Sequence, residues 1–169
     1  MNGLQEMILM GEIALQSKIA QRAAQRLRET HDNFDHVETW CSIQSILGAA
    51  GNISKILWPT KVKYQQRGEE LRKLLKVEND NPLFSRKFRN HFEHYDERVE
   101  EWFEHNTNGS YVDLAMNPSL GHPILKDTTR HNHRGYNSFN NSLVFRGEIL
   151  DLDKVLKAID DIFTKVKCY

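Results

Sequence analysis

From Ser85 to Arg98 the chain reads Ser-Arg-Lys-Phe-Arg-Asn-His-Phe-Glu-His-Tyr-Asp-Glu-Arg, and most of its candidate chemistry lies in this run. Arg89 and His94 have four residues between them, and Asn90 directly follows the arginine. An imidazole exchanges a proton near neutral pH, and a guanidinium offers phosphoryl oxygens a rigid fork of donors. Such a pair can hold a phosphodiester and move a proton at it. Arg86 and His91 repeat the spacing in an overlapping register. The Arg89 register is preferred, because Asn90 follows it and His91 lies close to the apolar stripe of the same helix. The plainer alternative is a surface network, since Arg89 with Glu93 and His94 with Arg98 are i, i+4 neighbours. Glu93 and Asp96 would repel phosphate unless Arg89 or Arg98 neutralised them.

The apolar stripe of this segment is Phe88, Phe92, Tyr95, Val99 and Trp102, at steps of four, three, four and three. That is the spacing of one buried helix face, and it leaves Arg86, Asn90 and His94 on the polar side. At roughly 100° per residue, Arg89 and His94 stand about 140° apart on a straight helix. To meet, their tips need a folded-back arginine, a bent helix or a second copy of the chain. The awkward geometry favours a shared site.

Arg89-Asn90-x-x-x-His94, placed midway along a four-helix chain, resembles the HEPN superfamily, whose hallmark is an arginine, often followed by a polar residue, and a histidine a few residues on. The resemblance covers roughly residues 1–105. It implies paired domains whose motifs face each other across a homodimer cleft. His94 would serve as general acid or base at the ribose 2′-hydroxyl and the leaving oxygen. Arg89 would neutralise charge on the phosphoryl oxygens, and Asn90 would orient the phosphate or His94. Arg86, His91 and Arg98 would flank them as substrate-binding residues. The products would be a 2′,3′-cyclic phosphate and a 5′-hydroxyl, formed without a metal or other cofactor. The implied roles are an RNA-cleaving toxin or antiphage effector, with a nucleotidyltransferase-fold antitoxin as a possible partner. Two others remain: a non-catalytic HEPN module that binds RNA, a nucleotide or a protein, and a purely structural helical dimer.

Other polar groups carry weaker signals. His122, His131 and His133 fall in an irregular polar stretch without an acidic pair at ligand spacing, so they read as loop residues rather than zinc ligands. Lys61, Lys63, Arg67, Arg72, Lys73 and Lys76 are interleaved with Glu69 and Glu70. They read as an exposed face, with an RNA path as the lesser reading. Trp40, Trp58 and Trp102 are expected to anchor a core or an interface. Cys41 and Cys168 form no CxxC pair, so neither a disulfide framework nor a thiolate zinc site is expected.

The elements that must position these groups follow from periodicity. Helices are expected over 3–31, 34–58, 66–77 and 83–105. Leu4, Ile8, Leu15, Ile19, Ala23 and Leu27 form the expected stripe of the first. Asp32 or Asn33 can cap the second, and Gly48 and Gly51 inside it suit close approach of a neighbour. A loop-rich stretch over 106–152 holds a short strand within 112–116 and a hairpin, Leu143–Phe145 with Glu148–Leu150. A last helix spans 153–167. The expected fold is an all-α antiparallel bundle with a small β-hairpin before its C-terminal helix, a single domain of 169 residues. Lys plus Arg equals Asp plus Glu at 23 each, which argues against a general nucleic-acid coat but leaves room for a local basic pocket. No apolar run is long enough to span a membrane, and Glu6 and Glu12 interrupt any signal-peptide pattern. The cytoplasm is the expected compartment.

Overall fold

The computed structural model describes residues 2–33, 35–106, 110–118 and 133–167. The protein is mostly helical, with a small four-stranded sheet toward its C-terminal end. The chain divides into two compact units, one of residues 1–89 with 154–169 and one of residues 90–153. The division falls between residues 89 and 90, inside a helix.

In the first unit, α1 (Gly3–Asn33) packs along α2 (His36–Leu57). The face that α1 buries is Met10, Ile13, Ala20, Ala23 and Leu27. Most of the expected stripe is not buried: Leu4, Ile8 and Leu15 are 64%, 61% and 51% exposed, and Ile19 is also exposed. The reason is rotational drift. Each step of four advances a helix about 40° past a full turn, so a run of fours winds around it. The steps of seven from Ile13 through Ala20 to Leu27 stay nearly straight, and they mark the buried face. Small residues at 20, 23 and 24 let the two backbones approach.

The α2 helix buries Trp40, Ile43, Ile46, Leu47, Ile53 and Leu57. Its N-cap is Asp35, whose carboxylate accepts from the Glu38 N–H at 2.9 Å, rather than Asp32 or Asn33. Of its expected stripe, Val37 and Cys41 are exposed. A short 3-10 turn (Val62–Tyr64) leads into α3 (Gln65–Leu74). The end of α3 is closed by two backbone bonds, Val77 N–H to the Arg72 carbonyl at 2.9 Å and Lys76 N–H to the Lys73 carbonyl at 3.2 Å. This pattern needs a left-handed residue, and Lys76 takes that place at φ 49. Lys76→Gly is therefore expected to stabilise the protein by about 1 kcal/mol, read as a raised urea midpoint with an unchanged slope.

A second 3-10 turn (Pro82–Phe84) precedes α4 (Lys87–Glu93). Most of the last helix, α6 (Leu152–Val166), completes this unit. It buries Val155, Ile159, Ile162, Phe163 and Val166. Gln21 donates to Asp160 at 2.8 Å, and the Lys165 ammonium donates to the Lys76 carbonyl at 2.8 Å.

The second unit holds α5 (Tyr95–His105) and four strands: β1 (Ala115–Met116), β2 (Arg134–Asn137), β3 (Ser142–Phe145) and β4 (Glu148–Asp151). The sheet order is β1-β2-β3-β4, with β1 parallel to β2 and the other pairs antiparallel. The expected hairpin is present as β3–β4, with Val144 opposite Ile149. Its turn is Arg146-Gly147, both at positive φ, as a tight two-residue hairpin requires. β1 and β2 widen that hairpin into a sheet. All four residues of β3, one of the two interior strands, are buried. Among the described residues no helix is long and apolar enough to cross a membrane.

Candidate functional site

The helix expected over 83–105 is not continuous. His94 leaves helical geometry at φ −103, ψ 40, between α4 and α5. The hydrogen-bond ladder persists on both sides, from His94 N–H to the Asn90 carbonyl at 3.0 Å and from Arg98 N–H to the His94 carbonyl at 3.1 Å. The result is a bend rather than an end. It falls inside the Arg89–His94 spacing.

Arg89 closes the first unit. A Cβ built on Gly51 would come 3.1 Å from the Arg89 Cγ, so the bare glycine lets the arginine stem lie against α2. Gly51 thus serves close approach, as its sequence position suggested, while nothing lies within 4 Å of a Cβ at Gly48. Arg86, also in the first unit, lines a cavity with Trp58 and Phe84.

The remaining sequence-assigned residues lie in the second unit. Asn90 is exposed. His94 is 51% exposed, and its Nδ1 stands 3.4 Å from the Glu97 carboxylate. His91 behaves differently: its ring stacks on Phe145 at 4.1 Å between centroids and 5° between planes, and its nitrogens are shielded from solvent. It sits at a core edge, away from any phosphate approaching from solvent. Arg98 pairs with Glu101, which also holds Arg146 at 3.1 Å. Arg98 is therefore engaged by Glu101 and not by Glu93 or Asp96, the acids that it or Arg89 could have neutralised. Glu93, Asp96, Glu97 and Glu100 are all exposed.

Behind α5 lies a polar cluster that the sequence did not announce. Arg134 on β2 grips Asp113 with both arms of its fork, Nε to Oδ1 at 2.9 Å and Nη2 to Oδ2 at 2.6 Å. Tyr95 Oη donates to Asp113 Oδ2 at 2.9 Å and stands 2.9 Å from Tyr111 Oη. A phenol has one proton and the carboxylate only accepts, so Tyr111 is the donor to Tyr95. The Arg134 guanidinium also lies over the Tyr95 ring at 4.0 Å. Burial would raise the Asp113 carboxyl, but hydrogen bonds from Arg134 and Tyr95 prevail and hold it below the usual range. Burial pushes the Tyr111 phenol up, and its bond to Tyr95 adds to this. Together these contacts fix the start of α5, and with it the backbone at His94.

His133 was expected in a solvated loop. Instead it is fully buried, ringed by Tyr95, Tyr111 and Phe145 at centroid distances of 5.4, 5.4 and 4.9 Å. Neither ring nitrogen has a hydrogen-bond partner among the described residues. Burial pushes its pKa from 6.5 down to about 4, with Asp113 opposing and Arg146, Arg134 and His91 reinforcing. The neutral ring is the folded form, so between these values the unfolded chain binds the extra proton. Stability from this group is complete above pH 6.5 and falls as pH drops toward about 4. The loss is expected to reach about 3 kcal/mol. Urea denaturation at several pH values checks it: His133→Phe should flatten the acid limb, and an unchanged limb would assign it to other groups.

Comparison with protein-family profiles, curated proteins and solved structures finds no match to this chain. Among the described residues no group of three or more His, Cys, Asp or Glu side chains could hold a metal ion. His122 and His131 lie outside the described residues. At His94 the second unit offers an exposed imidazole beside a carboxylate, at a helix bend next to a largely buried ion pair. That arrangement suits proton transfer to a polar ligand arriving from solvent.

Proposed function

We propose that this protein is a metal-independent endoribonuclease of HEPN type, working as a homodimer in which Arg89, Asn90 and His94 of two copies share one cleft. The observation that carries the reading is the bend at His94, which presents an exposed imidazole 3.4 Å from Glu97 within the Arg-x4-His spacing. His94 takes the 2′-hydroxyl proton as the 2′-oxygen bonds to phosphorus and the bond to the 5′-oxygen breaks, and a protonated His94 returns a proton to that leaving oxygen. Glu97 orients the ring and Arg89 offsets charge on the phosphoryl group. The mostly helical first unit is compatible with the antiparallel bundle that the resemblance implies. Cytoplasmic action as a toxin or antiphage effector, restrained by a nucleotidyltransferase-fold antitoxin, fits this chemistry. The test is incubation of the purified chain with RNA in excess chelator. Fragments ending in 2′,3′-cyclic phosphate are expected, from a species that sediments as a dimer. Intact RNA, or cleavage only with added metal, would refute the proposal.

A second reading has its own support. The exposed carboxylates of Glu93, Asp96, Glu97 and Glu100 repel a polyanion, which favours a non-catalytic HEPN module that binds a basic protein partner. Binding that weakens with salt, with no RNA product, would mark that outcome.

A further inference from the structure

The basic α3 segment and two aromatic rings of the first unit remain unused by the proposed cleavage site. Trp58 and Phe84 meet edge to face, with centroids 5.9 Å apart and planes at 75°. The Arg72 guanidinium lies 5.7 Å from the Trp58 ring and donates to the Leu57 carbonyl. With Glu69 and Arg86, these side chains line a cavity of about 330 Å³. A second cavity of about 470 Å³ shares Glu69 and Arg72 with it and adds Lys73, Lys76, Glu78 and Asn79. One end is therefore aromatic, and at the other three cations stand among two carboxylates. Phe84 is largely exposed and Trp58 is almost wholly buried, yet the Trp58 Nε1–H has no acceptor among the described residues.

We propose that this two-part cavity binds a nucleotide, its base against Trp58 and Phe84 and its phosphate against Arg72, Lys73 and Lys76. Aromatic rings stack on any base, and arginine and lysine supply the charge-assisted bonds a phosphate takes. The Trp58 Nε1–H meets a base acceptor. Glu69 and Glu78 decide against a purely anionic ligand: a carboxylate only accepts, so they suit sugar hydroxyls or base N–H groups. The volumes lie in the range of small-molecule sites. The nucleotide can arrive free or as one residue of a single strand. The site contains neither His94 nor Glu97, so a chain that cuts nothing is still expected to bind.

The test is titration of the full chain with AMP, GMP, CMP, UMP, adenosine, inorganic phosphate, phosphotyrosine and a five-nucleotide RNA, followed by tryptophan emission and calorimetry. Saturable quenching by nucleotides is expected, abolished in Trp58→Phe and about tenfold weaker in Phe84→Ala and Arg86→Ala. Phe84 and Arg86 lie near the surface, and Lys76→Gly, a stabilising change at the end of α3, should also weaken binding, so misfolding cannot mimic the result. Saturation by a mononucleotide identifies the free form as sufficient; saturation by the oligonucleotide alone identifies the strand. No saturable binding, equal affinity in Phe84→Ala, or equal affinity for phosphate or phosphotyrosine would overturn the proposal.

Discussion

Under the proposed function, replacing His94 with alanine is expected to slow RNA cleavage by about 10²–10⁴-fold, the usual contribution of a placed general acid or base. The fold should hardly notice. His94 is half exposed, already sits where the helix bends, and makes one solvent-screened contact with Glu97. Its removal should change stability by less than about 0.5 kcal/mol. Glu97→Gln should cost less, because the amide can still orient the ring. Arg89→Lys should be nearly as damaging as Arg89→Ala, since an ammonium cannot reproduce the fork. Single-turnover cleavage rates beside urea melts separate the two quantities. An His94→Ala protein that cuts at the wild-type rate would remove the imidazole from the chemistry altogether.

The largest stability loss is expected at Asp113. Its side chain is 16% exposed and that of Arg134 is 12% exposed, so both charges are mostly withdrawn from water. Asp113→Ala takes the carboxylate from Arg134 and the acceptor from Tyr95 in one step. A broken buried pair of this kind costs about 3–5 kcal/mol. The double variant Asp113→Leu with Arg134→Met removes both charges and should recover most of that loss. Urea midpoints for the two singles and the double form a complete cycle. If the double is as unstable as the worse single, packing rather than pairing holds this part of the second unit.

Much of the fold was legible in the residues, for reasons that can be named. The β3–β4 hairpin follows from Leu143-Val144-Phe145, a turn at Arg146-Gly147 and Glu148-Ile149-Leu150. The α6 face follows from strict helical spacing of Val155, Ile159, Ile162 and Val166. Failure came where a local pattern fits two answers. In α1, apolar residues lie on both sides of the helix, and only the position of α2 decides which side is core. At His94 no proline or glycine announces the bend; the contacts made by Tyr95 come from residues 111, 113 and 134, far along the chain. β2 reads Arg-Gly-Tyr-Asn, with no alternation to betray a strand. The Asp113–Arg134 pair spans 21 positions, and nothing short-range links its members. The motif residues were visible as types and spacing, but the stacking that turns His91 inward was not.

The first unit is discontinuous in sequence, with α6 rejoining it after the whole of the second has been passed. A ribosome makes the chain from one end. While residues 90–153 emerge, the side chains that later meet Ile159, Ile162 and Phe163 have no covering helix, and a nascent chain stalled in that interval presents bare hydrocarbon to whatever chaperone is near. Completion of this core is thus a late event in synthesis, set by the position of a segment rather than by its strength.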